Sequence, residues 1–300
     1  MINTTHPVLL EISNVRKSFA KGGNDEAMVL DDVQLTLNAG EIVGLLGRSG
    51  SGNSTLLRII SGLIAPTAGD VKFEGEAIHG PAAGMAMVFQ TFALFPWLTV
   101  LQNVELGLMS RPMDRADRPA AIDHAIDLIG LGNYHAAYPR ELSGGMPQRV
   151  GIARALVSQP KLLCLDEAFS ALDLLTAENL RQELISLWRS KENGLSSIFM
   201  VTHNIEEAVE MATRICILFP RPGRLGLVLE NHLPYPRDSK SPEFQQLVAT
   251  IHETITTLAL PDHPPEPPPV SGRPVSRARA RMESIPCVPV GQILGLLDEV

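Results

Sequence analysis

Residues Gly47 to Thr55 read GRSGSGNST, a glycine-rich loop of the kind that cradles phosphate. Gly47, Gly50 and Gly52 let the backbone wrap so that its N–H groups converge on an anion, at the positive end of the following helix. The apolar run Ile42–Leu46 precedes the loop and Leu56–Ile60 follows it, which is the strand–loop–helix context the motif needs. Ser54 stands where a hydroxyl would ligate Mg²⁺. Asn53 occupies the position normally held by lysine. It carries no charge and is shorter, so it cannot place an ammonium between two phosphates. The loop predicts ATP binding and, in the same motif, weakened hydrolysis.

A second group of residues has the complementary chemistry. Lys161 to Glu167 is an apolar strand ending in two carboxylates, Asp166 and Glu167. Asp166 suits Mg²⁺, directly or through water, and Glu167 suits a general base polarising an attacking water. An acidic cap on the next helix would give the same pattern. His203 ends another apolar strand, Ser196–Thr202, where a γ-phosphate sensor would sit, although a loop or capping histidine also fits. Gln90 ends the strand Met85–Phe89, within reach of metal or water. Finally, Ser143, Gly144 and Gly145 open a helix in LSGGMPQR and form a second anion cradle. Two cradles make sense when the second covers a nucleotide held by another copy.

The elements that must position these residues follow from the apolar pattern. Val8–Val15, Gln34–Leu37 and Val71–Glu74 alternate as half-exposed antiparallel strands do. Leu162–Leu165, Ile198–Val201 and Ile215–Phe219 are solidly apolar, as in a parallel sheet covered on both faces. Helices are expected over Asp117–Leu131, Gly144–Val157, Leu174–Arg189 and Ile205–Met211. The prediction is an α/β fold with a mostly parallel core sheet, N-terminal antiparallel strands and a helical subdomain at about residues 91–160. In such sheets ligands bind beyond the carboxyl ends of the strands.

The bulk properties bound the function. The 300 residues are 45% hydrophobic, with a net charge of −8, which disfavours nucleic acid as a partner. Three scattered cysteines show no metal-ligand spacing and fit reduced thiols. The first residues lack the pattern of a secretory signal. The charge-free run Pro81–Val104 is interrupted by Pro81, Gly84, Gln90, Pro96 and Asn103, and reads as strand and loop rather than a membrane span. Prolines from Pro261 to Pro274 and four arginines, Arg273 to Arg281, mark a linker over 261–284. The apolar Val288–Leu297 then reads as the start of another unit or as a segment docked on the body.

With GRSGSGNST, Gln90, LSGGMPQR, LLCLDEAFSALD and VTHNIEEA in this order, the chain resembles the ATP-binding subunit of an ABC transporter over about Val8–Thr257. The softer features PWLTVLQNV, FSALDLLTAENLR and THNIEEAVEMATR resemble the nitrate/sulfonate/taurine/bicarbonate importer branch, and Val288–Val300 is similar to a truncated C-terminal associated domain (residues 285–300) of that branch. The resemblance implies a P-loop NTPase fold of the ABC type over 1–260, with ATP and Mg²⁺ as cofactors. It implies that Phe19 stacks on adenine and that Gly47, Arg48, Ser49, Gly50, Ser51, Gly52, Asn53, Ser54 and Thr55 wrap the phosphates. Ser54, Gln90 and Asp166 would serve the metal, Glu167 the water and His203 the γ-phosphate. Ser143, Gly144, Gly145 and Gln148 would close over the ATP of a second ATP-binding subunit, with Asp173 at that interface. Phe92–Trp97 would receive a coupling helix from transmembrane permease subunits fed by a periplasmic or extracellular solute-binding protein, placing the chain peripherally on the cytoplasmic side of the membrane.

Three residues depart from the family pattern. Asn53 implies weaker ATP binding and turnover lower by at least about a hundredfold, taking loss of an oxyanion-type donor as the guide. Pro147 lies near the first turn of the signature helix, at the edge of tolerance if Ser143 is the cap. Ala168 replaces the usual proline and should loosen its loop. Retained Glu167 and His203 argue for an impaired rather than abandoned site. The competing function is a non-hydrolysing nucleotide-binding module or the degenerate half of an asymmetric dimer. A chromosome-maintenance ATPase would need heptad repeats that are missing, and a nucleotide kinase has no use for LSGGMPQR.

Overall fold

Alternation inside the buried strands sets the architecture. In β3 (Ile42–Gly47), β7 (Leu162–Asp166), β8 (Ser197–Thr202) and β9 (Arg214–Phe219) successive residues face two different cores. Ile42, Leu46, Leu163, Leu165, Ile198, Met200, Ile215 and Ile217 join one core with the helices. Val43, Leu45, Leu162, Cys164, Phe199, Val201, Cys216 and Leu218 join the other. Strands buried on both faces have no polar side, so they read as continuous apolar runs. Burial raises the Cys164 thiol to about 12, which keeps it unreactive.

The computed structural model describes residues 7–22, 25–91, 93–110, 113–191, 194–258 and 288–289. A four-stranded antiparallel sheet has the order β2–β1–β4–β5, with β1 at Val8–Gly22, β2 at Asp25–Asn38, β4 at Ala68–Phe73 and β5 at Glu76–Ala77. The first two strands run well past the predicted stretches. Bulges interrupt their register, one of them beside Asn14, whose amide donates to Asp32 Oδ1 at 2.8 Å. Both residues have a positive φ, 50° and 51°.

The second sheet has seven strands in the order β11–β10–β9–β3–β8–β7–β6. It adds β6 (Met85–Val88), β10 (Arg224–Glu230) and the two-residue β11 (Val288–Pro289). All pairs are parallel except β9 with β10. Helices α1 (Asn53–Ile60), α2 (Val100–Glu105), α3 (Arg118–Leu128), α4 (Met146–Leu156), α5 (Leu174–Ser190), α6 (Ile205–Met211) and α7 (Pro242–Leu258) complete the fold. The α/β class with N-terminal antiparallel strands is borne out. Helices α2, α3 and α4 pack together within the expected helical segment.

Pairing of β11 with Leu229 and Glu230 puts that piece of the C-terminal segment on the edge of the main sheet. The linker at 261–284, Phe92, and the rest of 285–300 lie outside the described residues. Among the described residues no helix is long and apolar enough to cross a membrane.

Candidate nucleotide site

Parallel register brings the carboxyl ends of four strands to one edge. Leu46 pairs with Thr202, Val201 with Asp166, and Leu165 with Val88. The loops that leave those ends therefore start side by side. Ser54, in the first turn of α1, donates from Oγ to Asp166 Oδ1 at 2.9 Å. Gln90 Nε2 donates to Glu167 Oε2 at 2.9 Å, and His203 Nδ1 lies 3.5 Å from the same oxygen. Five residues predicted from separate motifs thus form one constellation: Ser54, Gln90, Asp166, Glu167 and His203.

Asp166 is buried, and burial raises its pKa; the Ser54 hydrogen bond and nearby Arg58 pull it back down. Arg58 was not among the predicted site residues. Its signal was its place on α1 one turn beyond Ser54, on the exposed side of the helix. Glu167 adopts φ 48°, a left-handed conformation uncommon outside glycine and asparagine. Its N–H bonds Val201 O at 3.0 Å, while its carbonyl accepts from Ser170 N at 3.2 Å and Ser170 Oγ at 2.9 Å. Ala168 is itself buried. These bonds hold the loop that contains Ala168.

The phosphate loop has its backbone ready. Gly50 and Gly52 have φ 82° and 99°, and Gly52 caps α1 without a side-chain bond, leaving the amino end of the helix open. Arg48, Ser49 and Gly50 are exposed, and Thr55 is half-buried. Asn53 turns inward: its Nδ2 donates to Gly47 O at 3.0 Å. A Cβ on Gly47 would lie 2.5 Å from Asn53 Oδ1 and 2.5 Å from Ser51 Oγ, so a larger residue there would displace those two side chains. Phe19 is 45% exposed on β1 with Lys17 Nζ 5.0 Å from its ring centroid.

The second cradle differs from its prediction in three ways. Helix α4 starts at Met146 with Gly145 as its cap, so Ser143 lies before the cap; its hydroxyl meets Met146 Sδ at 3.4 Å. Pro147 is then the second helical residue, where the backbone N–H has no intrahelical partner to lose, and it costs no bond. Gln148, expected to close over the ATP of a second subunit, is the third residue of α4. It is 1% exposed, and neither of its amide atoms has a hydrogen-bond partner. At this position of the helix its side chain faces the interior of the chain. Ser143 and Gly144 are exposed, with Gly144 at φ 49° and open space where a Cβ would be. Gly145 abuts Leu172, so the cradle packs on the loop that ends at Asp173. Asp173 caps α5 by accepting from Thr176 N at 3.0 Å.

Beneath His203 lies a polar support that sequence reasoning missed. Thr202 Oγ1 donates to Glu207 Oε2 at 2.6 Å. Arg181 Nε, on α5, donates to Glu210 Oε2 at 2.6 Å, with its Nη1 3.8 Å from Glu207 Oε1. All three charged groups are buried, and desolvation raises the Glu207 pKa. Asn204 caps α6 through Glu206 N and Glu207 N. The signal was legible as Asn-x-Glu-Glu at a helix start. A cleft of about 310 Å³ opens here, lined by Glu167, Ser170, Leu174, His203 and Glu206.

Residues 30–170 match the family described as ABC transporter. The Nitrate import ATP-binding protein NrtD of Synechocystis sp. is 44% identical over 75% of this chain and 83% of its own length. The chain belongs to the ABC transporter ATP-binding family. Bicarbonate transport ATP-binding protein CmpC of Synechococcus elongatus is 42% identical over 77% of this chain, which spans only 35% of that larger protein. The ATP-binding cassette MJ0796, solved as a dimer in a post-hydrolysis state bound to ADP and Pi, superposes with a TM-score of 0.67. It is 31% identical, and the match covers 75% of this chain and 100% of that one. Membership of the ABC family makes this a nucleotide-binding chain with the ABC ATPase fold.

Proposed function

We propose that this chain is the ATP-binding subunit of an importer that takes up a small anion such as nitrate, sulfonate, taurine or bicarbonate. The observation that carries this reading is the meeting of Ser54 with Asp166 and of Gln90 with Glu167, each at 2.9 Å, beside an open helix amino end. The solute class is supported by the relatives named for nitrate import and bicarbonate transport.

In this reading Gly47 to Thr55 bind the phosphates through backbone N–H groups, and Phe19 offers a ring face to the base. Ser54 and Asp166 fit Mg²⁺, which typically takes one or two protein oxygens and completes its shell with phosphate and water. When bound, the metal neutralises phosphate charge; the chain's own part is to orient it. Glu167 Oε2 accepts the proton of an attacking water, with Gln90 and His203 fixing where that oxygen points. Ser143, Gly144, Gly145 and Asp173 face a second ATP-binding subunit. Phe95 and Trp97 are 43% and 67% exposed with ring centroids 5.3 Å apart, which suits a docking face for a permease subunit.

Asn53 specifically favours a second reading, the degenerate half of an asymmetric dimer. Its amide holds the loop through Gly47 O but brings no positive charge. One experiment separates the two: binding and turnover of Mg-ATP by the parent and by Asn53→Lys. Measurable turnover in the parent, even if lower than in the variant, supports an importer subunit with an impaired site. Nucleotide binding with turnover seen only in the variant supports the degenerate half. Absence of nucleotide binding in both defeats each reading.

A further inference from the structure

Two oxygens inside the phosphate loop have nothing to bind. Ser51 is 1% exposed, and its Oγ has no hydrogen-bond partner. Asn53 Oδ1 is likewise buried and unpartnered, because the amide nitrogen takes Gly47 O at 3.0 Å. Both oxygens lie on the same side of Gly47, each 2.5 Å from the place its Cβ would occupy, and so are neighbours within the loop. Unpaired buried polar atoms are rare in native proteins and usually mark an ion or water. An amide oxygen accepts only, and beside a phosphate it faces another acceptor, so phosphate alone leaves it worse off. A cation suits both. The two oxygens carry no formal charge, and Ser54 and Asp166 already bond one another nearby as the divalent-metal pair. That leaves a neutral oxygen set, suited to a singly charged ion rather than a second Mg²⁺.

We propose that the loop takes a monovalent cation of the potassium or ammonium class together with the nucleotide, with Ser51 Oγ and Asn53 Oδ1 as two of its ligands and phosphate oxygens among the others. The ion restores the single positive charge that residue 53 does not supply. This rests on the reading that the loop binds ATP.

The test is titration of the full-length chain with a fluorescent ATP analogue at fixed Mg²⁺, in KCl, NH₄Cl or choline chloride at one ionic strength. Kd should be lower by about tenfold in potassium or ammonium than in choline, the effect of roughly one good charged contact. Asn53→Lys should bind with no preference among the salts, and Ser51→Ala should lose most of the gain. Equal affinity in all three salts overturns the cation proposal and leaves nucleotide binding standing, with water satisfying the two oxygens. Failure of the parent to bind in any salt overturns both.

Discussion

At the end of β3 the side chain closest to the phosphate cradle is a neutral amide bonded back to its own loop, with a buried oxygen left over. At the end of β7 the carboxylates are each met by a neighbour: Asp166 by Ser54, Glu167 by Gln90 and His203. The backbone is prepared at both ends, through glycines with positive φ at one and Glu167 at φ 48° at the other. What differs is one side chain. The two ends sit on different strands and are held by different bonds, so in the proposed reading one can change without the other.

The contrast can be broken hardest at Glu167. Glu167→Gln in the Asn53→Lys background should lower ATP turnover by about 10²–10⁴-fold while sparing binding, as loss of a general base does. Unchanged turnover in a phosphate-release assay would mean the β7 side is not the catalytic side. Next comes the loop itself. Asn53→Lys alone should raise turnover by about 10²–10³-fold; a smaller rise means the amide is not what limits the site.

The support beneath His203 gives a pH signature. Burial raises the Glu207 carboxyl above its ordinary 4.5, so between 4.5 and that raised value the folded state holds more protons than the unfolded one. The stability this group contributes is complete below 4.5 and is lost as pH rises through the raised value. Glu207→Gln should flatten that part of the stability–pH curve measured by chemical denaturation, and an unchanged slope would remove Glu207 as its source. The smallest effect lies at the interface loop. Asp173→Ala removes the cap of α5 and should lower the denaturation midpoint slightly in the same assay, without altering the β7 cluster.

Much of this was legible in the sequence. Solidly apolar strands ending in Gly47, Asp166 and Thr202 implied a buried parallel sheet with its loops on one edge. The five residues of the constellation were each found from motif and position. The burial of Gln148 was not legible, because LSGGMPQR read as a linear string places it beside the glycines. The cap at Gly145 instead starts the helical rotation there and turns position 148 inward. Helix α7 was missed although Phe244, Leu247 and Ile251 recur at helical spacing and are buried; Thr250, Thr254 and Thr256 on the same segment disguise it, and each bonds back to a carbonyl one turn earlier. Strand β10 was hidden by Gly226 and by being half-exposed. The Arg181–Glu207–Glu210 cluster joins residues from two helices, and no local pattern encodes such a meeting.

That cluster has a mechanical consequence. Helix α5 begins directly after Asp173, and α6 begins directly after Asn204, next to His203. Arg181 pins the two together inside the protein, and separating them would strand a buried charge at a cost of about 3–5 kcal/mol. The start of α5 at Asp173 and the start of α6 beside His203 thus share one buried ionic tie.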